Sequence, residues 1–227
     1  MPSFSQAVIG YRRRKPATAR NNPLHPLARG KLLHYPFLSD VGLTVYDVVS
    51  GLAAVYHPRT QSSPPATLRQ AGGLFGPSLN FRGGSGGTGY GSSIDVTNSS
   101  AYKPSSALTI AAWVNPDGVS TNYNVVAGID YRNNGTWSAP NYSYALQSGW
   151  VGALTPYFHV TSGGTAVTIT SPSGLATNAW SHIAGTYDGV TMRLYINGQQ
   201  VTSTARSGAI DYGNNGPLAI GNISTRR

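Results

Sequence analysis

Two turn dipeptides in the last quarter of the chain constrain the fold more than any other feature. Asp188-Gly189 and Asn197-Gly198 each separate runs of alternating apolar residues between Ala179 and Val201. A dipeptide of this kind closes a tight β-hairpin, because glycine accepts the positive φ that the favoured hairpin turns require. The sequence therefore predicts two consecutive hairpins here.

The run between the two turns has the pattern of a half-buried strand. Met192, Leu194 and Ile196 fall on one face, whereas Arg193 and Tyr195 fall on the other. Side chains alternate across a strand, so this pattern sets one face against a core and the other toward solvent. We expect an antiparallel sheet at this point.

Short candidate strands recur along the rest of the chain, separated by turn residues. They cover residues 32–38, 43–49, 52–56, 79–81, 107–114, 124–130, 142–147, 155–161, 165–170 and 218–222. The first contains Pro36, which suits a first or edge strand because proline cannot donate to a ladder. The fold class predicted is all-β.

The composition of the 227 residues removes several other classes. There is no Cys, and since all seven acidic residues are Asp there is no Glu. The first absence excludes disulfide scaffolds, thiol enzymes and Cys-ligated zinc sites, and the second disfavours salt-bridged helices and coiled coils. No run of about 18 apolar residues occurs, so no membrane span is predicted.

Residues 1–31 differ from the rest of the chain in charge. They carry seven basic residues and no acidic one, against a formal net charge of +9 for the whole sequence. They also contain four prolines and neither a helical nor an alternating period, so we predict an extended basic N-terminal arm at 1–31 and one domain at 32–227. A short apolar stretch, 7–10, precedes the basic run instead of following it, so no secretory signal is expected.

The arm has more than one interpretation. Basic arms are solvated tails or docking segments for acidic and phosphate-rich surfaces. Without a nucleic-acid reader motif, contacts with nucleic acid would be non-specific, whereas apolar residues spaced along the arm favour docking on another protein subunit. The basic residues predicted to dock are Arg12, Arg13, Arg14, Lys15, Arg20 and Arg29.

Six segments can be taken together: NAWSHIAGTYDG at 178–189, RLYING at 193–198, SALTIAAWVNP at 106–116, LHYPF at 33–37, VYD at 45–47 and LAIGN at 218–222. They resemble the laminin-G-like jelly rolls of the concanavalin A-like lectin/glucanase superfamily. The resemblance implies an antiparallel jelly-roll sandwich of two sheets. The arrangement of arm and domain also resembles small laminin-G-like proteins encoded by tailed phages.

One departure from the family concerns its last strand. In the family a further strand follows the segment equivalent to 218–222, and here the sequence ends at Arg227. We expect either that the sequence is a fragment or that another segment takes the position of the last strand. That segment would be this chain's own arm or the arm of a neighbouring chain. An exposed edge at 218–222 would then invite strand addition.

The residues argue against catalysis. Hydrolytic members of the superfamily use a pair of Glu on one strand, and glycoside hydrolysis needs two carboxylates facing one bond. This chain has no Glu, and its closest acidic pair in sequence is Asp40 and Asp47. No Gly-x-Ser-x-Gly elbow lies near His182, which we interpret as structural. We predict that the protein is not an enzyme.

The resemblance implies calcium as a possible cofactor, because relatives often bind it through oxygen ligands. Asp130 beside Asn133 and Asn134 is the best candidate, with Asp117 behind it. Lone Asp residues more often cap their own turns. We therefore predict no obligatory cofactor and name Asp130 as the residue for Ca²⁺.

Aromatic and Asn side chains are concentrated between Tyr123 and Trp150, and these are the parts of a sugar-binding site. The residues predicted to bind glycan are Tyr131, Trp137, Tyr142 and Trp150. Tyr and Asn are also common at protein interfaces, and some of these rings must serve the core.

Two functions follow as hypotheses. The first is a non-catalytic structural subunit of a larger assembly, such as a virion decoration, capsid-associated or appendage protein. It would dock through its arm and open sheet edge on other copies or a capsid-like lattice and expose a lectin-like jelly roll. The second is a carbohydrate-binding lectin module for cell-surface or extracellular glycans. The expected location is a virion or an extracellular assembly.

Overall fold

The computed structural model describes residues 3–5, 30–35, 37, 44–57, 69–73, 76–81, 92–96, 100–118, 124–131, 139–149, 152–213 and 216–221. These residues form fifteen β-strands and one 3₁₀ turn, Ser100–Tyr102. Every pairing recorded between these strands is antiparallel. The all-β prediction is therefore confirmed. No helix in this part of the chain is long and apolar enough to cross a membrane.

The strands form two sheets. The seven-stranded sheet has the order β14 (Gln199–Ala205), β13 (Thr191–Ile196), β12 (Ser181–Tyr187), β7 (Leu108–Asn115), β1 (Ser3–Ser5), β5 (Gly76–Asn80) and β4 (Arg69–Gly73). The eight-stranded sheet has the order β11 (Thr165–Thr170), β10 (Tyr157–Ser162), β9 (Tyr142–Gly149), β8 (Asn124–Asp130), β15 (Leu218–Gly221), β6 (Ser93–Val96), β3 (Ala53–His57) and β2 (Thr44–Tyr46). Side chains from both sheets meet in one apolar core, which confirms the sandwich.

Alternation along the strands builds this core. Met192 and Leu194 of β13 are fully buried, as are Phe158 and Val160 of β10, at 0% exposure each. Burying a side chain of this size contributes about 1.5–3 kcal/mol. The inward face predicted for β13 is thus the face that packs.

Close contact between the sheets depends on Gly185. A Cβ added at this position would overlap the ring of Phe158, which lies on the opposite sheet. Because Gly185 has no side chain, the Phe158 ring can pack directly against β12 in the interior.

Most strand positions agree with the sequence patterns, and those at 124–130 and 165–170 agree to the residue. The strand predicted at 32–38 is wrong for the residues described in that range. Residues 31–35 and Phe37 have no strand assignment, although Tyr35 and Phe37 are buried and their rings stack 6.3 Å apart. Pro36 removes a ladder donor, so the segment packs on the core without pairing as an edge strand.

The strand predicted at 43–49 is shorter, because a turn begins at Asp47. The buried Asp47 carboxylate accepts hydrogen bonds from the backbone N–H groups of His34 (2.5 Å), Val49 (3.1 Å) and Ser50 (2.7 Å). Local bonds of this kind compete with the sheet ladder and end β2 at Tyr46.

The exposed edge predicted at 218–222 is also wrong for the residues that the structure describes. Strand β15 pairs with β6 on one side and with β8 on the other. Leu218 and Ala219 are buried. The strand that covers one side of this edge, β6, is only four residues long and was not among the predicted strands.

The start of the chain also contributes to a sheet. Strand β1 lies between β5 and β7, with Phe4 opposite Leu79 on one side and Val114 on the other. Residues 6–29, which include the arm residues predicted to dock, lie outside the described residues. The boundary at residue 31 stays a prediction, but Ser3–Ser5 pair within the sandwich.

Candidate functional site

The hairpins predicted from the two turn dipeptides are present and position one face of the seven-stranded sheet. Gly189 has φ 88°, and the Asp188 carboxylate accepts hydrogen bonds from the N–H groups of Val190 (3.0 Å) and Thr191 (2.7 Å). In the second turn, Asn197-Gly198, both residues have positive φ, at 50° and 83°. The turns fix the register of β12, β13 and β14.

This register sets polar and aromatic side chains in rows on the outer face, because Ile183, Leu194 and Val114 point into the core. Opposite positions on β7 and β12 are Trp113 with His182, Ala111 with Ala184, and Thr109 with Thr186. Opposite positions on β12 and β13 are Ala184 with Tyr195, and Thr186 with Arg193. We call these eight residues the outer platform.

The first row of the outer platform is an aromatic pair. The rings of Trp113 and His182 meet edge to face, with centroids 5.4 Å apart, and both residues are half-buried. Burial lowers the pKa of His182, so its imidazole is neutral at neutral pH. The backbone N–H of His182 donates to Asn197 Oδ1 at 2.9 Å, which ties this row to the second turn.

The third row contains an ion pair. Arg193 Nη1 lies 2.6 Å from Asp188 Oδ2. The hydrogen bond from Arg193, followed by those from the N–H groups of Val190 and Thr191, lowers the pKa of Asp188 to about 2. The guanidinium is thereby held beside Thr186 as a fixed donor group.

The middle row has small side chains, because it contains Ala111 and Ala184. It lies between the row of Trp113 and the row of Arg193. Tyr195 ends this row on β13. Ala184 is buried and Ala111 is half-buried, and aromatic rings and hydrogen-bonding side chains stand around these two small residues. Alternation in the sequence placed Arg193 and Tyr195 on a common face, but neither Trp113 nor His182 was identified as a site residue.

The predicted glycan-binding residues are only partly described. Tyr131 follows β8 and is half-buried, and its backbone N–H donates to the Asn141 carbonyl at 3.0 Å. Tyr142 is 4% exposed and lies edge-on to His159, with centroids 5.6 Å apart. Its ring therefore offers no open stacking surface in this structure. Trp137 and Trp150 lie outside the described residues.

A buried polar cluster surrounds Tyr142 on the outer face of the eight-stranded sheet. Tyr157 donates to Gln147 Oε1, and His159 Nδ1 lies 2.9 Å from Thr168 Oγ1. Burial lowers the pKa of His159 to about 4, so this histidine is neutral and structural.

Asp130 ends β8 opposite Tyr142. Within the described residues, no three His, Cys, Asp or Glu side chains come together as a metal-binding group. Asn133 and Asn134 lie outside this part of the chain. Calcium binding at Asp130 therefore stays a prediction.

A groove of about 770 Å³ lies where β7 meets the segment 30–37. It is lined by apolar and aromatic residues, among them Leu33, Tyr35 and Tyr102, and also by Trp113 and His182. The groove thus borders the outer platform along one side of β7.

Comparison with known proteins agrees with this architecture. A family model described as the Concanavalin A-like lectin/glucanases superfamily, laminin G type, matches residues 86–226. No curated protein matches the chain.

Solved structures resemble it at low identity. The binding domain of Paraclostridial Mosquitocidal Protein 1 has a TM-score of 0.54 and 17% identity, over 83% of this chain and 44% of that one. The receptor binding domain of botulinum neurotoxin D has a TM-score of 0.53 and 14% identity, over 85% of this chain and 44% of that one. The CBM40 domain of the Ruminococcus gnavus IT-sialidase, bound to alpha2,3 sialyllactose, has a TM-score of 0.41 and 11% identity, over 73% of this chain and 78% of that one.

This chain spans less than half of the two toxin chains. At these identities the likeness concerns the fold. Because the family model covers more than half of its residues, the chain belongs to the laminin G-like family of the Concanavalin A-like lectin/glucanases superfamily.

Proposed function

We propose that this domain is a non-catalytic recognition module that binds carbohydrate on its outer platform. The observation that carries the proposal is the small floor formed by Ala111 and Ala184, bordered by the rings of Trp113 and Tyr195. A pyranose ring has an apolar face that stacks on aromatic side chains, and its hydroxyl groups need fixed donors and acceptors.

The third row supplies such polar groups. Arg193 is held by Asp188 at 2.6 Å, and Thr186 stands opposite it on β12. A guanidinium already held by a carboxylate loses little conformational freedom when it donates to a ligand. We expect a neutral sugar to fit better than an acidic one, because Asp188 balances the Arg193 charge.

The chemistry of the chain supports binding without catalysis. The sequence has no Glu, and glycoside hydrolysis requires two carboxylates on opposite sides of the bond. In the turn beside the platform, the Asp188 carboxylate is bound by Arg193 and its pKa is lowered to about 2, which is unsuitable for a general acid.

A second candidate function is a structural subunit of a virion or extracellular assembly that docks through the arm. The distribution of charge favours it, since seven basic residues and no acidic one lie in 1–31 while the rest of the chain is nearly neutral. The two candidates are compatible, because the arm and the outer platform are different parts of the chain.

A glycan array with the intact chain tests the first proposal. Ala111→Leu would fill the floor without removing a contact and should abolish the signal. Val55 lies on the other sheet and is 49% exposed. Val55→Ala is therefore the matched control and should bind normally. Adding EDTA to one array and calcium to another tests Asp130 as a calcium ligand. A blank array for the intact chain in both conditions would overturn the carbohydrate proposal.

A further inference from the structure

The second turn beside the outer platform contains a chemically reactive pair of residues, Asn197 and Gly198. Both follow the end of β13, both are exposed, and both have positive φ, at 50° and 83°. A Cβ built on Gly198 would meet no heavy atom within 4 Å, so this position borders open space. A backbone nitrogen that belongs to glycine is well placed to attack a preceding Asn side chain, because no Cβ obstructs the approach.

The side chain of Asn197 is held in this turn. Asn197 Oδ1 accepts a hydrogen bond from the backbone N–H of His182 at 2.9 Å, and the Asn197 N–H donates to the His182 carbonyl at 2.8 Å. These two bonds tie the end of β13 to β12. Gly198 leads into β14, which lies on the opposite side of β13. The bond to His182 therefore holds the Asn197 side chain toward β12, whereas the Gly198 nitrogen begins the path toward β14.

We propose that Asn197 is a deamidation site that the hydrogen bond from His182 keeps closed in the folded domain. The Gly198 nitrogen attacks Asn197 Cγ and forms an N–Cγ bond. The bond between Cγ and Nδ2 breaks, and Nδ2 leaves as ammonia with the proton that the Gly198 nitrogen gives up. Solvent water then opens the cyclic imide at either carbonyl, which leaves aspartate or isoaspartate at position 197.

The closing effect follows from the movement that the attack requires. Asn197 Cγ must come within bonding distance of the Gly198 nitrogen, and the side chain then turns away from β12. This movement breaks the bond between Oδ1 and the His182 N–H, so the reaction waits for a local opening of the turn. The exposure of the turn to water is not sufficient by itself.

The two products have different effects on the turn. Aspartate keeps an oxygen that accepts from the His182 N–H, and it adds a negative charge beside the Trp113 ring. Isoaspartate adds one methylene to the main chain, and a two-residue hairpin turn fixes the register of the strands that it joins. That register places Tyr195 opposite Gln200. The effect on the platform rests on the proposed carbohydrate function, whereas the deamidation does not.

Peptide mapping by mass spectrometry tests the proposal on the intact chain. The sequence contains two further Asn-Gly pairs, at 134–135 and 215–216, which serve as references. In urea at mildly alkaline pH we expect all three pairs to deamidate at similar rates. In the native chain at the same pH, Asn197 should react about tenfold more slowly than in urea, or slower still, because the turn must first open. Equal rates at Asn197 in the two conditions would overturn the proposal, as would an unreactive Asn197 in urea.

Amide exchange followed by NMR tests the bond from His182 with a matched pair of variants. Asn197→Asp keeps the acceptor oxygen and should leave exchange of the His182 amide as slow as in the parent chain. Asn197→Gly accepts the positive φ of the turn but has no acceptor, and should accelerate this exchange about tenfold or more, with Gly185 unchanged. Unchanged exchange at His182 in Asn197→Gly would overturn the proposal.

A urea series below the unfolding transition links the bond to the reaction. The deamidation rate at Asn197 should rise in proportion to the exchange rate of the His182 amide, because one opening of the turn frees both groups. A deamidation rate that stays constant while this exchange rises would overturn the proposal. None of these measurements uses a glycan, so a blank glycan array does not affect their outcome.

Discussion

The indole of Trp113 lies edge to face with the imidazole of His182, with the ring planes at 63° and the centroids 5.4 Å apart. The two residues stand directly opposite each other on β7 and β12. Because burial lowers the pKa of His182, the neutral ring has one donor and one acceptor nitrogen at neutral pH. An apolar surface and a polar edge are therefore adjacent at the border of the alanine floor.

This pair leads to a first prediction about binding. Trp113→Ala should weaken affinity for the glycans found on the array about tenfold or more, because truncating an aromatic anchor commonly costs more than 1 kcal/mol. Trp113→Phe keeps a ring and should retain part of the affinity. Calorimetric titration measures both variants, and equal affinity for Trp113→Ala and the parent chain would place the site elsewhere, with Trp137→Ala the next variant to test.

The contact between the sheets gives a second prediction. Gly185→Ala should destabilise the domain by about 1–3 kcal/mol, because the added methyl group overlaps the Phe158 ring in a packed core. Urea unfolding measures the loss. Phe158→Leu in the same chain should recover part of it, since the smaller side chain makes room. A Gly185→Ala chain as stable as the parent would show that the Phe158 ring moves aside without cost.

The buried histidine on the other sheet gives a third prediction, about pH. Burial lowers the pKa of His159 to about 4, below the ordinary 6.5 expected in the unfolded chain. Between these values the unfolded state binds the proton and the folded state does not, so stability falls as the pH decreases from 6.5 toward 4. The total loss is about 3 kcal/mol, and His182 adds to it in the same direction.

Urea unfolding at pH 7 and pH 4.5 checks this dependence. His159→Gln has no titrating group and should be less sensitive to pH than the parent chain over this interval. An identical pH dependence in the two chains would assign the acid sensitivity to other groups.

The sequence predicted those parts of the fold whose information is local. The β12–β13 hairpin needs only Asp188-Gly189 and the alternation around it, so strand, turn and inward face all agreed with the structure. By contrast, β6 is a four-residue segment whose strand state depends on pairing with β3 and β15, which lie far away in sequence. The exposed edge at 218–222 was predicted from a missing last strand, whereas β6 and β8 occupy the two sides of β15.

The candidate site was less predictable for the same reason. Arg193 and Tyr195 share a face by simple alternation, and the sequence shows this directly. That Trp113 lies beside His182 depends on the register between β7 and β12, which no local pattern specifies. Aromatic richness between 123 and 150 was a weaker guide, because it does not distinguish a buried ring such as Tyr142 from an exposed one.

The basic run of the arm gives a last prediction, which tests the assembly candidate separately from the platform. Arg12→Ser with Arg13→Ser should lower self-association or retention on an anionic surface and leave the unfolding midpoint unchanged. Exposed charges contribute little to stability, but a cluster acts strongly on partners within about 10 Å at 0.1 M salt. Arg59→Ser with Arg82→Ser removes the same charge elsewhere and is the control. Light scattering at low and high salt measures the association, and a parent chain that is monomeric in both conditions and unretained on the anionic surface would argue against docking through the arm.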